Sequence, residues 1–218
     1  PVYKFTAAGS FTTARTLYKC MLAGNAAYVP PYTGSIVVGQ SPSVSGYPWS
    51  AASGFGTRYS NPATPPSAYV AAIAFGPSPS ADVVLGSGAT PWMHAYPWSL
   101  ASGFGAKYAD PATIPVNGCT GIAFHPAGNA IGFSTYTTTN PAIAYPFTSG
   151  TGFGTKYADP SPDPGAGNFT AGMNWNPAGT DVTIAFEQQG IKKINKEYTT
   201  LEPSNYSLGE KFSVEMFN

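Results

Sequence analysis

Short apolar runs broken by proline- and glycine-rich turns recur along this chain. From Gly121 it reads GIAFHPAGNAIGFST: an apolar run, a proline two residues after an aromatic, a turn, then a second apolar run. Related stretches begin at Ala72 (AIAFGPSPSADVVLGS), at Gly172 (GMNWNPAGTDVTIAFE) and, in weaker form, at Ala26 (AAYVPPYTGSIVVGQ). Short β-rich runs bounded by Gly, Pro and Asn predict strands joined by hairpins. A second phrase lies between the hairpins. It reads YPWSAASGFGTRYSNP from Tyr47, YPWSLASGFGAKYADP from Tyr96 and YPFTSGTGFGTKYADP from Tyr145. Its Gly-Phe-Gly centres on Phe55, Phe104 and Phe153, an interval of 49 residues, and a tyrosine leads each phenylalanine by eight. The N-terminal VYKFTAAGSFTTAR keeps that spacing, Tyr3 to Phe11, without the glycines.

One period therefore holds four strand candidates. In the third copy these are Thr120–Phe124, Ala130–Thr135, Ala142–Phe147 and Gly154–Ala158. Four short antiparallel strands every 40–50 residues is the period of a β-propeller blade. The expectation is an all-β fold, a small propeller of about four blades with four antiparallel strands each. Repeats fall near residues 24–61, 70–110, 119–159 and 169–197, with 2–15 as a degenerate copy. Residues 1–197 form one domain in this reading, and 198–218 are a non-repeat tail. The chain starts with third and outer strands and finishes with first and second strands. The N-terminal segment is thus expected to complete the blade begun by Phe169–Glu187, closing the ring and removing open edges. GIKKINKEYTT, Gly190 to Thr200, alternates apolar and charged residues and competes for the third-strand place. A dimer of two open half-rings is the other arrangement these strands allow.

The hairpin GIAFHPAGNAIGF resembles the first hairpin of WD40 and YVTN-type propeller repeats, and the resemblance covers about Val2 to Glu197. The Trp-Asp and Gly-His pairs that name the WD40 family are missing. The resemblance implies a fold, and no WD40 partner or pathway.

Composition narrows the function classes. Charged residues are 9% of the chain, against about a quarter in a typical domain, and the formal net charge is zero. Phosphate-backbone binding needs a basic footprint, so nucleic acid is not an expected partner. No run is long and apolar enough to insert in a membrane, and no secretory signal pattern stands at the start. Gly and Pro are abundant, but 31 aromatic residues and a strict repeat argue for a turn-rich β fold over disorder. Two cysteines, Cys20 and Cys119, make no disulfide framework, and both are expected to be free buried thiols.

The repeated aromatic pairs are the candidate ligand-binding residues: Tyr47 and Trp49, Tyr96 and Trp98, Tyr145 and Phe147. They form either equivalent sugar-stacking pockets, one per blade as in propeller lectins, or the packing between blades. No catalytic residue is expected. The aspartates Asp82, Asp110, Asp159, Asp163 and Asp181 read as turn formers, whereas a hydrolase needs two carboxylates converging on one cleft. His94 and His125 sit at different repeat positions without metal-ligand spacing to a Cys or acid, so neither a metal nor a cofactor is expected. Arg58, Lys107 and Lys156 recur at one position and read as solvated. Residues 187–218 hold 9 of the 20 charged side chains, together with Leu208, Phe212, Val214, Met216 and Phe217. Those five are candidate partner-docking residues: the tail packs as an edge strand on its own domain or docks on a neighbouring subunit.

The YPWS…GFGTKYADPAT style of repeat also resembles propeller repeats encoded in bacteriophage genomes. That resemblance implies a non-enzymatic structural protein, an exposed virion component such as a head decoration or tail-associated protein. Its partners would be capsid or tail proteins and its place the virion surface. Otherwise a soluble protein is expected. The alternative is a carbohydrate-binding propeller with a glycan as partner.

Overall fold

The computed structural model describes residues 20–23, 33–39, 44–50, 52–77, 81–137, 139–161, 163, 170–186 and 190–195. Every regular element among them is a strand, and the strands make four antiparallel sheets. The first sheet holds β1 (Cys20–Ala23), β2 (Thr33–Gly39), β3 (Val44–Ser50) and β4 (Gly54–Phe55). The second holds β5 (Val70–Phe75), β6 (Asp82–Ser87), β7 (Met93–Ser99) and β8 (Gly103–Phe104). The third holds β9 (Cys119–Phe124), β10 (Ala130–Thr135), β11 (Ala142–Thr148) and β12 (Gly152–Phe153). The fourth has three strands, β13 (Thr170–Trp175), β14 (Asp181–Phe186) and β15 (Gly190–Asn195). Among the described residues no helix is long and apolar enough to cross a membrane.

Within each sheet the strands follow chain order, so each repeat is a meander. The hairpin turns are closed by their own backbone. In the third sheet His125 N–H donates to Ala130 O at 2.9 Å and Gly128 N–H to His125 O at 2.8 Å. In the fourth, Asn176 N–H donates to Asp181 O and Gly179 N–H to Asn176 O in the same pattern.

The cores lie between consecutive sheets. Val37 and Val44 of the first sheet meet Ile73, Val83, Leu85, Tyr96 and Trp98 of the second. Ala72, Val84 and Met93 of the second meet Ile131, Phe133, Tyr145 and Phe147 of the third. Ala142 of the third joins Ile184 and Phe186 of the fourth. Because the second and third sheets are covered on both faces, β6 and β10 are buried at every position. Each large side chain removed from water this way contributes roughly 1.5–3 kcal/mol.

Two strand expectations are corrected. The outer strand of the third sheet is Gly152–Phe153, not Gly154–Ala158. Gly152 has φ +87°, and the chain beyond it still bonds back, Gly154 N–H to Pro146 O and Tyr157 N–H to Ala144 O, each at 2.9 Å. The third-strand place beside β14 belongs to Gly190–Asn195, which pairs with it from Asp181↔Asn195 to Phe186↔Gly190. The N-terminal segment 2–15, expected there, lies outside the described residues, and each of the four sheets is open.

Candidate functional site

The aromatic phrase is a joint between sheets. Tyr96 and Tyr145 are fully buried, Trp98 is 6% exposed and Phe147 2%. These four therefore offer no face to a ligand; they are core. Each tyrosine hydroxyl crosses to the preceding repeat's connector: Tyr96 Oη donates to Thr64 O at 2.7 Å and Tyr145 Oη to Thr113 O at 2.8 Å. Burial raises both phenols well above the ordinary tyrosine range, with smaller contributions from Asp110 at Tyr96 and from Cys119 and Asp159 at Tyr145.

A second tyrosine, at the end of the phrase, completes the joint. Tyr59 leaves the first sheet and meets Trp98 of the second edge-on, with ring centroids 5.4 Å apart. Its hydroxyl donates to Leu100 O at 2.6 Å. Tyr108 leaves the second sheet and meets Phe147 of the third at 6.2 Å. Its hydroxyl donates to Asp82 Oδ1 at 2.6 Å and accepts from Gly150 N–H at 3.0 Å. Burial first, then the bond to Asp82, raises the Tyr108 phenol to about 12. In the second and third sheets the first glycine of Gly-Phe-Gly makes room for this tyrosine. A Cβ on Gly103 would lie 2.7 Å from Tyr59 Cβ, and one on Gly152 would lie 2.8 Å from Tyr108 Cβ. Both glycines have left-handed φ, +78° and +87°.

The first sheet departs from this pattern. Tyr47 and Trp49 are half-buried, and Phe55 is 41% exposed. Their rings still cluster edge to face, Tyr47–Phe55 at 5.5 Å and Trp49–Phe55 at 5.2 Å. Of the six sequence-derived ligand-binding residues, only this pair keeps an open face. The five tail residues Leu208, Phe212, Val214, Met216 and Phe217 lie outside the described residues.

The polar side chains mostly serve the frame. Lys107 pairs with Asp110 at 2.5 Å, Lys156 pairs with Asp159, and Arg58 Nη2 donates to Asn61 Oδ1 at 2.7 Å. The two lysine side chains are only 14% and 19% exposed, so these cations brace their own connectors and are not freely solvated. Asp82, read from sequence as a turn former, is buried at the start of β6 and receives the Tyr108 hydroxyl. His125 links two hairpins. Its Nδ1 accepts from Ala127 N–H at 3.1 Å, so Nε2 carries the proton and donates to Gly179 O at 3.1 Å, with Trp175 edge-on at 5.0 Å. His94 is buried in β7, 3.4 Å from Ser87 Oγ. Burial, then the Lys107 charge, lowers its imidazole to about 4, with Asp110 opposing. Cys119 is a buried free thiol whose pKa burial raises; the Cys20 side chain is outside the described set. One shallow cleft of about 200 Å³ opens where β5, β9 and β13 end, lined by Phe75, Pro77, Phe124, His125 and Asn174 among others.

Sequence reading missed the second tyrosine, although Tyr59, Tyr108 and Tyr157 share the interval of 49 and could have been singled out. It missed the His125 link because that contact spans 54 residues and no spacing rule announces it.

Successive four-stranded meanders packed face to face, with aromatic cores between them, define a propeller-type fold. A chain of the crystal structure of the Mitotic Checkpoint Complex is similar, with a TM-score of 0.53 and 19% identity over 74% of this chain. The match spans 47% of that chain, about half its length. At this identity the likeness shows the fold alone, a WD40-like β-propeller. No protein-family model matches the sequence, and no curated protein matches it.

Proposed function

We propose that this chain is a non-enzymatic structural and interaction protein, a ring of four blades that presents an apolar, weakly charged rim to protein neighbours in a larger assembly. The observation that carries this reading is the character of the exposed large side chains. Tyr69, Leu100, Val116, Tyr136 and Tyr157 are between 42% and 78% exposed on a chain with only 9% charged residues. Aromatic side chains are enriched, and charges depleted, at the centres of protein interfaces. The similar chain belongs to a multiprotein complex by its title, which is consistent with a partner-binding role. In this reading the assembly is a virion, with this chain on its outside as a head-decoration or tail-associated protein; the support is the resemblance of the repeats to phage-encoded propellers. The test is co-sedimentation of the tagged chain with purified particles that lack it. Saturable association is expected; failure to associate with any particle or neighbouring subunit would remove the reading.

The second reading, glycan binding, is favoured at one place. Tyr47, Trp49 and Phe55 form a half-open aromatic surface suited to stacking on a sugar. The equivalent pairs in the second and third sheets are buried, so one site is expected among the described residues. Glycan titration of Trp49→Ala against the parent chain tests it, with loss of binding at unchanged fold as the supporting result.

A further inference from the structure

The open aromatic face of the first sheet matches a fourth tyrosine in the chain. In each sheet, the third strand carries one residue paired with an aliphatic residue of the second: Ile36↔Tyr47, Val83↔Tyr96, Ile131↔Tyr145 and Val182↔Ile194. Twelve residues beyond these positions stand Tyr59, Tyr108, Tyr157 and Tyr206. The first two cross to the next sheet in order. Tyr59 packs on Trp98 and beside Gly103; Tyr108 packs on Phe147 and beside Gly152. Tyr157 should cross to the fourth sheet. There Ile194 stands in place of the phrase tyrosine, Glu202 stands where Phe104 and Phe153 stand, and Tyr157 is 48% exposed. Tyr206 follows the fourth sheet, and the next sheet round a ring is the first.

The first sheet has the parts that receive such a tyrosine. Trp49 pairs with Phe55 as Trp98 pairs with Phe104. Gly54 has φ +73°, matching Gly103 and Gly152. Among the described residues, the nearest atom to a Cβ built on Gly54 is in Trp49, at 3.8 Å, whereas at Gly103 and Gly152 it is the incoming tyrosine, within 3 Å. Phe55 is correspondingly exposed. In the segment before β1 no tyrosine stands at the equivalent spacing. Tyr59 and Tyr108 each precede the next inner strand by eleven residues, and Gly9 stands at that distance from Cys20; four residues after Phe11, where the other copies place the tyrosine, stands Arg15.

We propose that the C-terminal tail docks on its own first sheet, with the Tyr206 ring seated between Trp49, Phe55 and Gly54 and its hydroxyl directed to the turn between β3 and β4. The tail then fastens the fourth sheet to the first, as Tyr59 fastens the first to the second. Tyr206 lies eleven residues beyond Asn195, against nine from Ser50 to Tyr59 and from Ser99 to Tyr108, so reach is not limiting.

Benzoylphenylalanine at position 206 of the full chain, photolysed and mapped by mass spectrometry, tests the placement. The expected product is a crosslink within one chain to the peptide holding residues 44–55. A covalent dimer through that peptide would make the occupant a second copy and overturn the proposal. Crosslinks elsewhere, or none, also overturn it and leave the aromatic face to an external ligand. Thermal midpoints of Tyr206→Ala, Phe55→Ala and the double variant give an independent reading. The double variant should lose little more than the larger single loss, and Tyr206→Phe should retain most of the midpoint. Additive losses, or a Tyr206→Ala midpoint equal to that of the parent, would refute the docking.

Discussion

Gly103→Ala separates backbone strain from the tyrosine joint. Gly103 has φ +78°, and an L side chain in the left-handed region costs about 1–2 kcal/mol. The new methyl would also lie 2.7 Å from both Cβ and Cγ of Tyr59, atoms near the backbone that cannot swing aside like a side-chain tip. Tyr59 must retreat, losing its edge contact with Trp98 and its bond to Leu100 O. Those are worth about 0.5–1.5 and about 1 kcal/mol. The expected total is about 2.5–4.5 kcal/mol. Gly150→Ala is the control: its φ is +89°, but nothing lies within 4 Å of a Cβ there, so strain alone remains, about 1–2 kcal/mol. Urea unfolding midpoints at a common m-value measure both. Tyr59→Gly removes the two atoms in the way, so a cycle with Gly103→Ala should show a coupling of about 2 kcal/mol. Equal losses for Gly103→Ala and Gly150→Ala, or additivity in the cycle, would refute the claim that this tyrosine holds the first two sheets together.

Two further outcomes are expected. Burial holds the His94 imidazole at about 4, below its ordinary 6.5, so the unfolded chain binds the extra proton first as pH falls. Its contribution is fully present above about pH 6.5 and is lost between there and about pH 4, by up to about 3 kcal/mol. Urea midpoints from pH 7 to 4 should show this slope, and His94→Gln should flatten it; an unchanged slope would assign it to other groups. Tyr96→Phe and Tyr145→Phe each delete one hydroxyl bond to a connector carbonyl, Thr64 O or Thr113 O, and each should cost about 1 kcal/mol in the same assay. Because the two bonds sit in different joints, the double variant should cost the sum, and marked non-additivity would show the joints to be coupled.

The interval of 49 made the sheets legible, because a repeating phrase must place equivalent residues in equivalent strands. Pro-Ala-Gly and the Asp-Pro steps made the turns legible for the same local reason. Competition between two segments was not legible. Gly190–Asn195 and the N-terminal copy both carry strand patterns, and only pairing with β14 separates them. Nor could sequence separate a binding surface from a core in the aromatic phrase. Trp49 and Trp98 stand in the same words at the same register, yet Trp98 is 6% exposed and Trp49 is half open. The difference comes from the neighbour: Tyr59 and the rest of the first sheet cover Trp98. Burial in a stacked array is therefore a property of the pair of sheets, and identical repeats acquire different roles from their place in the order. It follows that the first sheet, where Phe55 is 41% exposed, is the place to look for an occupant, the chain's own tail or a ligand, and not the residues that the repeat writes most faithfully.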